Sequence, residues 1–368
     1  MINIPPLVRG RKIEDTTIVV AMSGGVDSSV VAALLKQQGY KVIGITLQLW
    51  DYSPLDDGTP NKKFGTCCAL DDVYDARRVC QTMGIDHYVL NYESDFKKAV
   101  IDDFVDTYAQ GATPIPCVRC NERIKFDALL EKSKELGAHG LATGHYVQKI
   151  WDNELGKYTI HRGKEDIKDQ SYFLFTTRQD QLDYTVYPLG VVENKDVTRQ
   201  LAEELNLHVS KKKDSQDICF VPHGNYRDTV KKQKPEAFIA GDFINNNGEV
   251  LGQHDGIINF TVGQRKGLGI TLGVPTYVVE IKPETRQVVL GSREELKVRR
   301  FNIKDLNWIG EDIPEDGLEC EVRVRNGHEQ IKCLLKPTGE KTAIVELFNP
   351  EAMVAPGQAA VFYNNRRM

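Results

Sequence analysis

The feature that most restricts the fold is a regular alternation of short apolar runs with amphipathic segments in the first part of the chain. TIVVAM (17–22) is a continuous apolar run, and SSVVAALLKQQG behind it has apolar residues at helical spacing and a closing glycine, Gly39. KVIGITLQL (41–49), HYVLNY (87–92) and GLATGHY (140–146) repeat the strand pattern. DVYDARRVCQTMG and ERIKFDALLEKSKELG repeat the helical one, ending at Gly84 and Gly137. Strands apolar on both faces and separated by helices pair in parallel under two helical layers. The expected fold class is α/β, a doubly wound parallel sheet.

After about residue 210 the texture changes to short β-rich runs broken by Gly, Pro and Asn: GDFINNNGEVLGQ, YVVEIKPETRQVVLG, CEVRVRNGHEQIKCLL, TAIVELF and AAVFY. Asn247-Gly248 and Asn326-Gly327 are hairpin signals, because such pairs accept the left-handed backbone of a tight two-residue turn. The expected domains are 1–210, 211–290 (small and β-rich) and 291–368 (a β-barrel).

A formal net charge of -5 argues against a protein that coats nucleic acid indiscriminately, while leaving room for a local basic face. Two basic runs, Lys211–Lys213 and Arg293–Lys304, read individually as solvated charge. No apolar run approaches the ~20 residues of a membrane span. The N-terminus lacks a signal-peptide core, so a cytoplasmic protein without a membrane partner is expected. Eight cysteines in such a chain are not a disulfide framework. Cys80, Cys320 and Cys333 sit in apolar-periodic stretches and read as small buried hydrophobes, as do Cys67 and Cys68 by default.

Between the first strand and the first helix lies Ser23-Gly24-Gly25-Val26-Asp27-Ser28-Ser29. Two glycines permit close approach to an anion, Asp27 and Ser28 can cap the helix, and its free N–H groups suit a phosphate. No lysine follows, so this is not a Walker A loop. The S-G-G-x-D-S string resembles the pyrophosphate loop of the ATP pyrophosphatases that adenylate a substrate oxygen and then displace AMP with a nucleophile. Nitrogen-using synthetases and sulfur-using thiouridylases share it.

The cysteines bear on that choice. Thr113-Pro114-Ile115-Pro116-Cys117-Val118-Arg119-Cys120-Asn121 is a proline-fixed loop with C-x-x-C ahead of a helix, and the helix N-terminus beside Cys120 is expected to favour a thiolate. Lys212-Lys213-Asp214-Ser215-Gln216-Asp217-Ile218-Cys219-Phe220 supplies a third cysteine. Together with Ala142–Tyr146, Lys168–Leu174 and Gly263-Gln264-Arg265-Lys266-Gly267-Leu268-Gly269, these segments resemble the bacterial tRNA-specific 2-thiouridylases from about residue 17 to 363. The resemblance implies ATP-dependent 2-thiolation of the wobble uridine, with ATP, Mg2+ and tRNA bound and a sulfur-donor protein as partner, either a persulfide carrier or a cysteine desulfurase. It implies ATP contacts at Ala21, Met22, Ser23, Gly24, Gly25, Val26, Asp27, Ser28, Leu47 and Gly144. It implies tRNA contacts at Ile115, Pro116, Cys117, His145, Lys168, Asp169, Gln170, Arg325 and Gln358. Cys120 matches the nucleophile beside the target base and Cys219 the persulfide carrier, with a Cys120–Cys219 disulfide left after turnover.

Cys117 departs from the family, which more often has Asp there, and the sequence stops at Asn365-Arg366-Arg367-Met368, before the last strand expected of the barrel. Three thiolates at one pocket (Cys117, Cys120, Cys219) would suit an iron–sulfur cluster with one iron open to hydrosulfide; a spare thiol at Cys117 is the equal alternative. Two other functions compete: an amidating ATP-dependent synthetase, and a non-catalytic zinc- or tRNA-binding module. The first lacks a use for the cysteines, and the second lacks both a fourth zinc ligand and a use for the loop.

Overall fold

The computed structural model describes residues 7–49, 70–214, 218–221, 226–235, 238–310, 312–351 and 354–368. Cys67, Cys68 and Ser215–Asp217 lie outside the described residues. The chain divides into two compact units, each discontinuous in sequence. One comprises Met1–Ala99, Cys117–Pro222 and Arg366–Met368; the other comprises Val100–Pro116 and His223–Asn365.

The first unit is built on strands β1 (Thr17–Ala21), β2 (Lys41–Gln48), β3 (Asp86–Asn91) and β4 (Gly140–Ala142), a hairpin of β5 (Val147–Asp152) and β6 (Lys157–Arg162), and the short β7 (Thr185–Val186). The main sheet has the order β3-β2-β1-β4-β7 with every pair parallel. Ile18, Val19 and Val20 are completely buried, as the apolar run of β1 requires. Helix α1 (Val26–Gln37) is buried at nine positions, a central helix rather than an amphipathic surface one. It packs in one cluster with Val73's helix α2 (Leu70–Met83) through Ala76, Val79 and Cys80, and with helix Lys195–Glu204 through Leu201 and Ala202. Each such fully buried Val or Leu is worth about 1.5–3 kcal/mol. The strand order reverses at β1, whose neighbours β2 and β4 lie on opposite sides. The crevice beyond the ends of β1 and β4 is therefore the switch point at which open α/β sheets take ligands.

The C-terminal tripeptide Arg366–Met368 belongs to this unit and runs along β6. Arg162 N donates to Arg366 O (2.8 Å) and Met368 N to Ile160 O (2.9 Å).

The second unit holds the β-rich half. Strands β8 (Gly241–Ile244), β9 (Val250–His254), β10 (Tyr277–Lys282) and β11 (Gln287–Gly291) form a sheet of order β10-β11-β8-β9. Strands β12 (Val298–Ile303), β13 (Leu318–Arg323), β14 (Ile331–Gly339), β15 (Thr342–Glu351) and β16 (Val361–Tyr363) form an antiparallel sheet of order β12-β15-β14-β13-β16. Both Asn-Gly pairs turn hairpins, β8–β9 and β13–β14. Helix Asp102–Ala109 contributes Tyr108, which stacks on Tyr226 with ring centroids 4.4 Å apart. Among the described residues no helix is long and apolar enough to cross a membrane.

Candidate active site

The loop Ser23–Ser28 leaves β1 at its carboxyl end and enters α1 with Gly25 as N-cap. Its entry is pinned by Met22 N to Ile45 O (2.8 Å) and by Thr46 Oγ1 to Met22 O (2.8 Å). The turn is closed internally. Ser28 Oγ accepts from Ser23 N (3.2 Å), and Ser29 Oγ donates to Gly25 O (2.8 Å). Two glycines are dictated by proximity. Gly24 has φ +71°, and a Cβ there would lie 2.0 Å from Asp72 O at the start of α2. Gly144, just past β4, would place a Cβ 2.9 Å from Asp27 Cβ and 3.1 Å from Ser28 N. Ala21 ends β1, and Leu47 is buried on the adjacent β2. The ATP positions expected from sequence thus gather at the switch point.

A network of side chains that the motif does not include surrounds the loop. Asp27 Oδ1 accepts from Tyr146 Oη (2.7 Å) and from Lys195 Nζ (2.5 Å). Lys195, whose side chain is 9% exposed, also pairs with Asp214 Oδ1 (3.1 Å). Asp214 in turn pairs with Arg199 (2.9 Å) and Lys168 (3.2 Å). On the other side Lys212 Nζ donates to Gly24 O (3.0 Å) and pairs with Asp72 (2.6 Å) and Asp75. The solvated-charge reading of the Lys211–Lys213 run is therefore wrong for Lys212, because folding brings Asp72, Asp75 and a loop carbonyl against it. Nothing local marks Lys195 or Arg199; Lys195 reaches Asp27 from 168 positions away along the chain, and Arg199 joins the network through Asp214.

The charges respond as this geometry requires. Burial by itself would raise the Asp214 carboxyl, but Lys195 and then Lys168 outweigh it and hold it below the usual range. Burial and then the Asp27 carboxylate push the Tyr146 phenol well above its ordinary value, so it stays a donor. A carboxyl depressed in the fold gives stability that is present above the unfolded value of about 3.9 and is lost as pH falls through the lower folded value. Asp214→Asn should accordingly be less stable than the parent at pH 7, with the gap narrowing as pH falls below about 4 towards the parent's lowered folded value. Urea midpoints from pH 3 to 7 measure this; a constant gap would rule out Asp214 as the group responsible.

The cysteines lie in the same unit. The helix carrying the C-x-x-C begins at Pro116, earlier than the sequence suggests, because proline is accepted at the first helical position. Exposed Cys117, not Cys120, therefore occupies the first turn. Buried Cys120 opens a π-helical stretch, Cys120–Ala128, which continues as helix Leu129–Glu135. Wide π turns inside helices often mark functional positions. Here Asn121, buried beside Cys120, donates to Phe173 O (3.1 Å) and accepts from Lys125 (3.0 Å). Half-buried Cys219 sits in a tight turn closed by Val221 N to Ile218 O (3.0 Å), with Phe220 packed edge-on against Phe96. Among the described residues no cysteine is in a disulfide, and no three His, Cys, Asp or Glu side chains stand together to hold a metal. The three-cysteine set expected for a cluster is not assembled in this arrangement.

The residues expected to meet tRNA have varied surroundings. The Asp169 carboxylate is wholly buried, accepting from Gly163 N, Ser171 N, Ser171 Oγ and Arg162 Nε at 2.9–3.2 Å, so its contacts are internal. Gln170 brackets Tyr146, its Oε1 accepting from Tyr146 N (3.0 Å). Lys168 pairs with Asp214 and is 36% exposed at its side chain. His145 has its Nδ1 2.8 Å from Thr143 Oγ1; burial, then Lys125, push it down to about 3, leaving the ring neutral at physiological pH. In the second unit Arg325 donates to Val262 O (3.0 Å). Gln358 donates to Thr113 O (3.1 Å), bracing the strand of chain that leads to Ile115 and buried Pro116.

Known proteins agree with the first reading. Models described as a tRNA methyl transferase HUP domain, a tRNA methyl transferase PRC-barrel domain and an aminomethyltransferase beta-barrel domain match residues 16–223, 227–292 and 298–368. The tRNA-specific 2-thiouridylase MnmA of Rhizobium meliloti (strain 1021) is 50% identical over 361 residues, covering 96% of this chain and 89% of the relative. The chain belongs to the tRNA-specific 2-thiouridylase family. The family member of Parvibaculum lavamentivorans is likewise 50% identical, covering 95% of this chain and 88% of its own. A solved structure, the U34-tRNA thiolase NcsA from Methanococcus maripaludis with its 4Fe-4S cluster, covers 62% of this chain and 69% of its own at 20% identity and TM-score 0.38, a similarity that carries no argument about chemistry.

Proposed function

We propose that this 2-thiouridylase-family chain uses ATP to replace the 2-oxygen of a tRNA uridine, at the wobble position, with sulfur. The observation that carries the reading is the S-G-G-V-D-S loop at the switch point of the parallel sheet, in the same unit as Cys120 and Cys219. The uridine O2 attacks the α-phosphate of ATP, pyrophosphate leaves, and the adenylated carbonyl carbon becomes open to a sulfur nucleophile that expels AMP. Backbone N–H groups at the start of α1 suit the phosphate charge. Lys195 on Asp27 and Lys212 on the Gly24 carbonyl are cations that touch the loop, and Lys168 shares Asp214 with Lys195.

For sulfur delivery we take the two-cysteine route. A persulfide on Cys219, loaded by a donor protein, attacks the base carbon through its terminal sulfur. The Cys120 thiolate then displaces at Cys219 Sγ, freeing the thiouridine and leaving a Cys120–Cys219 disulfide that an external dithiol must reduce. No step is routed through an iron–sulfur cluster, because the described side chains offer no three-ligand group; Mg2+ would need only one or two carboxylates beside the ATP phosphates, whose charge it would neutralise. Among the alternatives, amidation leaves the cysteines unused, and among the described residues a zinc module lacks its ligand set.

The test is nucleoside analysis of tRNA incubated with the enzyme, ATP, a cysteine desulfurase with free cysteine as the source of persulfide sulfur, and a dithiol to reduce the resulting disulfide. The expected result is 2-thiouridine formed with one AMP per base. ATP cleavage that yields amidated product, or no ATP-dependent change in the RNA, contradicts the proposal.

A further inference from the structure

The segment Gly263–Gly269 carries no role in the reaction above, yet its structure is that of a built loop. It lies between the short helical turn Ile257–Asn259 and β10, in the second unit. Gln264 organises it. Gln264 N donates to Thr261 O (2.9 Å), its Oε1 accepts from Thr261 N (3.1 Å), and its Nε2 donates to Lys266 O (3.0 Å). Two bonds to β10 fix the base, Gly263 N to Val278 O (2.8 Å) and Val278 N to Gln264 O (2.9 Å). Leu268 is 8% exposed and anchors the middle. Gly263, Gly267, Gly269 and Gly273 all have φ between +71° and +87°, and a Cβ at Gly269 or Gly273 would meet nothing within 4 Å. The backbone is thus held in left-handed turns with open space in front of it.

What this frame presents is positive charge. Arg265 and Lys266 are exposed at its tip, and neither has an ion pair among the described residues. From Ile257 to Val279 the sequence contains no Asp or Glu. The base of the loop is joined to a third cation, since Arg325 donates to Val262 O (3.0 Å). A flexible surface lysine needs none of this scaffolding. Two cations carried on a braced, glycine-lined backbone, where a bulky polyanion can approach closely, fit a phosphodiester chain.

We propose that the Gly263–Gly269 loop is a phosphate-backbone contact for the RNA substrate, with Arg265 and Lys266 as its cations and Gln264 and Leu268 as the positioning residues that hold them. This rests on the tRNA-modifying reading and adds to it a contact in the β-rich unit that reads backbone, not sequence. Each phosphate neutralised releases condensed counterions, so log Kd rises with log salt by ~0.9 per duplex phosphate and ~0.7 per single-stranded one.

The experiment measures binding of fluorescent tRNA transcript by the full chain over a salt series. It compares wild type with Arg265→Ala/Lys266→Ala, Arg265→Glu/Lys266→Glu and the charge-keeping Arg265→Lys/Lys266→Arg, each checked for an unchanged unfolding midpoint. The alanine pair should lower the salt slope by about 1.4–1.8 and weaken binding roughly tenfold at moderate salt. The glutamate pair should lose more, and the charge-keeping pair should retain the wild-type slope. Equal slopes for wild type and the alanine pair overturn the proposal, as does a charge-keeping pair as weak as the alanine one. Wild type that binds and thiolates tRNA while the alanine pair keeps its slope sinks only this contact. Wild type that binds no tRNA removes the enzymatic reading with it.

Discussion

Gly24→Ala is expected to cut ATP-dependent pyrophosphate release by at least about 100-fold, and Gly25→Ala to do far less. The two positions look equivalent in the sequence and are not in the fold. Gly24 has φ +71°, where an L-residue pays about 1–2 kcal/mol, and its Cβ would sit 2.0 Å from the Asp72 carbonyl oxygen. That neighbour is backbone at the head of α2, so the loop itself must shift. Displacement of a reacting group by ~1 Å is enough for a ~100-fold loss. Gly25 has φ -89°, and its Cβ would find only Ser23 Oγ at 3.5 Å, ordinary contact. Single-turnover assays with labelled ATP and saturating tRNA measure the difference. Equal losses for the two variants would show that the α2 contact does not set the loop.

Cys219→Ser and Cys120→Ser should each reduce 2-thiouridine formation to background, at least about 1,000-fold, while tRNA-dependent pyrophosphate release continues. A hydroxyl can neither carry a persulfide nor open a disulfide, whereas adenylation needs neither cysteine. The split between the two readouts separates loss of sulfur transfer from loss of folding. Cys117→Ala should keep activity within about tenfold, since Cys117 is exposed in the first helical turn and no three-ligand group among the described residues includes it. Full loss at Cys117 together with iron in anaerobically purified protein would restore the cluster scheme and displace the persulfide route.

The sequence by itself determined the parallel sheet, because the apolar runs of β1, β2 and β4 can be buried only between helices, and Gly39, Gly84 and Gly137 end those helices in left-handed turns. It located the phosphate loop, whose glycines and capping residues are contiguous in the chain. It also marked the hairpins at Asn247-Gly248 and Asn326-Gly327. Each of these signals is local, carried by a backbone preference or a periodicity within about a dozen residues. The tertiary structure decided what the loop is coupled to. Lys195, Arg199, Lys212 and Asp214 look like any charged residues on a polar face, and only packing against β1 and α1 turns them into an ion-pair network around Asp27 and Gly24. It also decided where the C-x-x-C helix starts, since proline ends an extended loop and begins a helix equally well. And it set Asp169 inward: four donors from Gly163, Ser171 and Arg162 converge on one carboxylate, an arrangement no spacing in the chain announces. Side-chain charge becomes chemistry only when distant segments meet, and that meeting is fixed by the burial of the apolar faces between them.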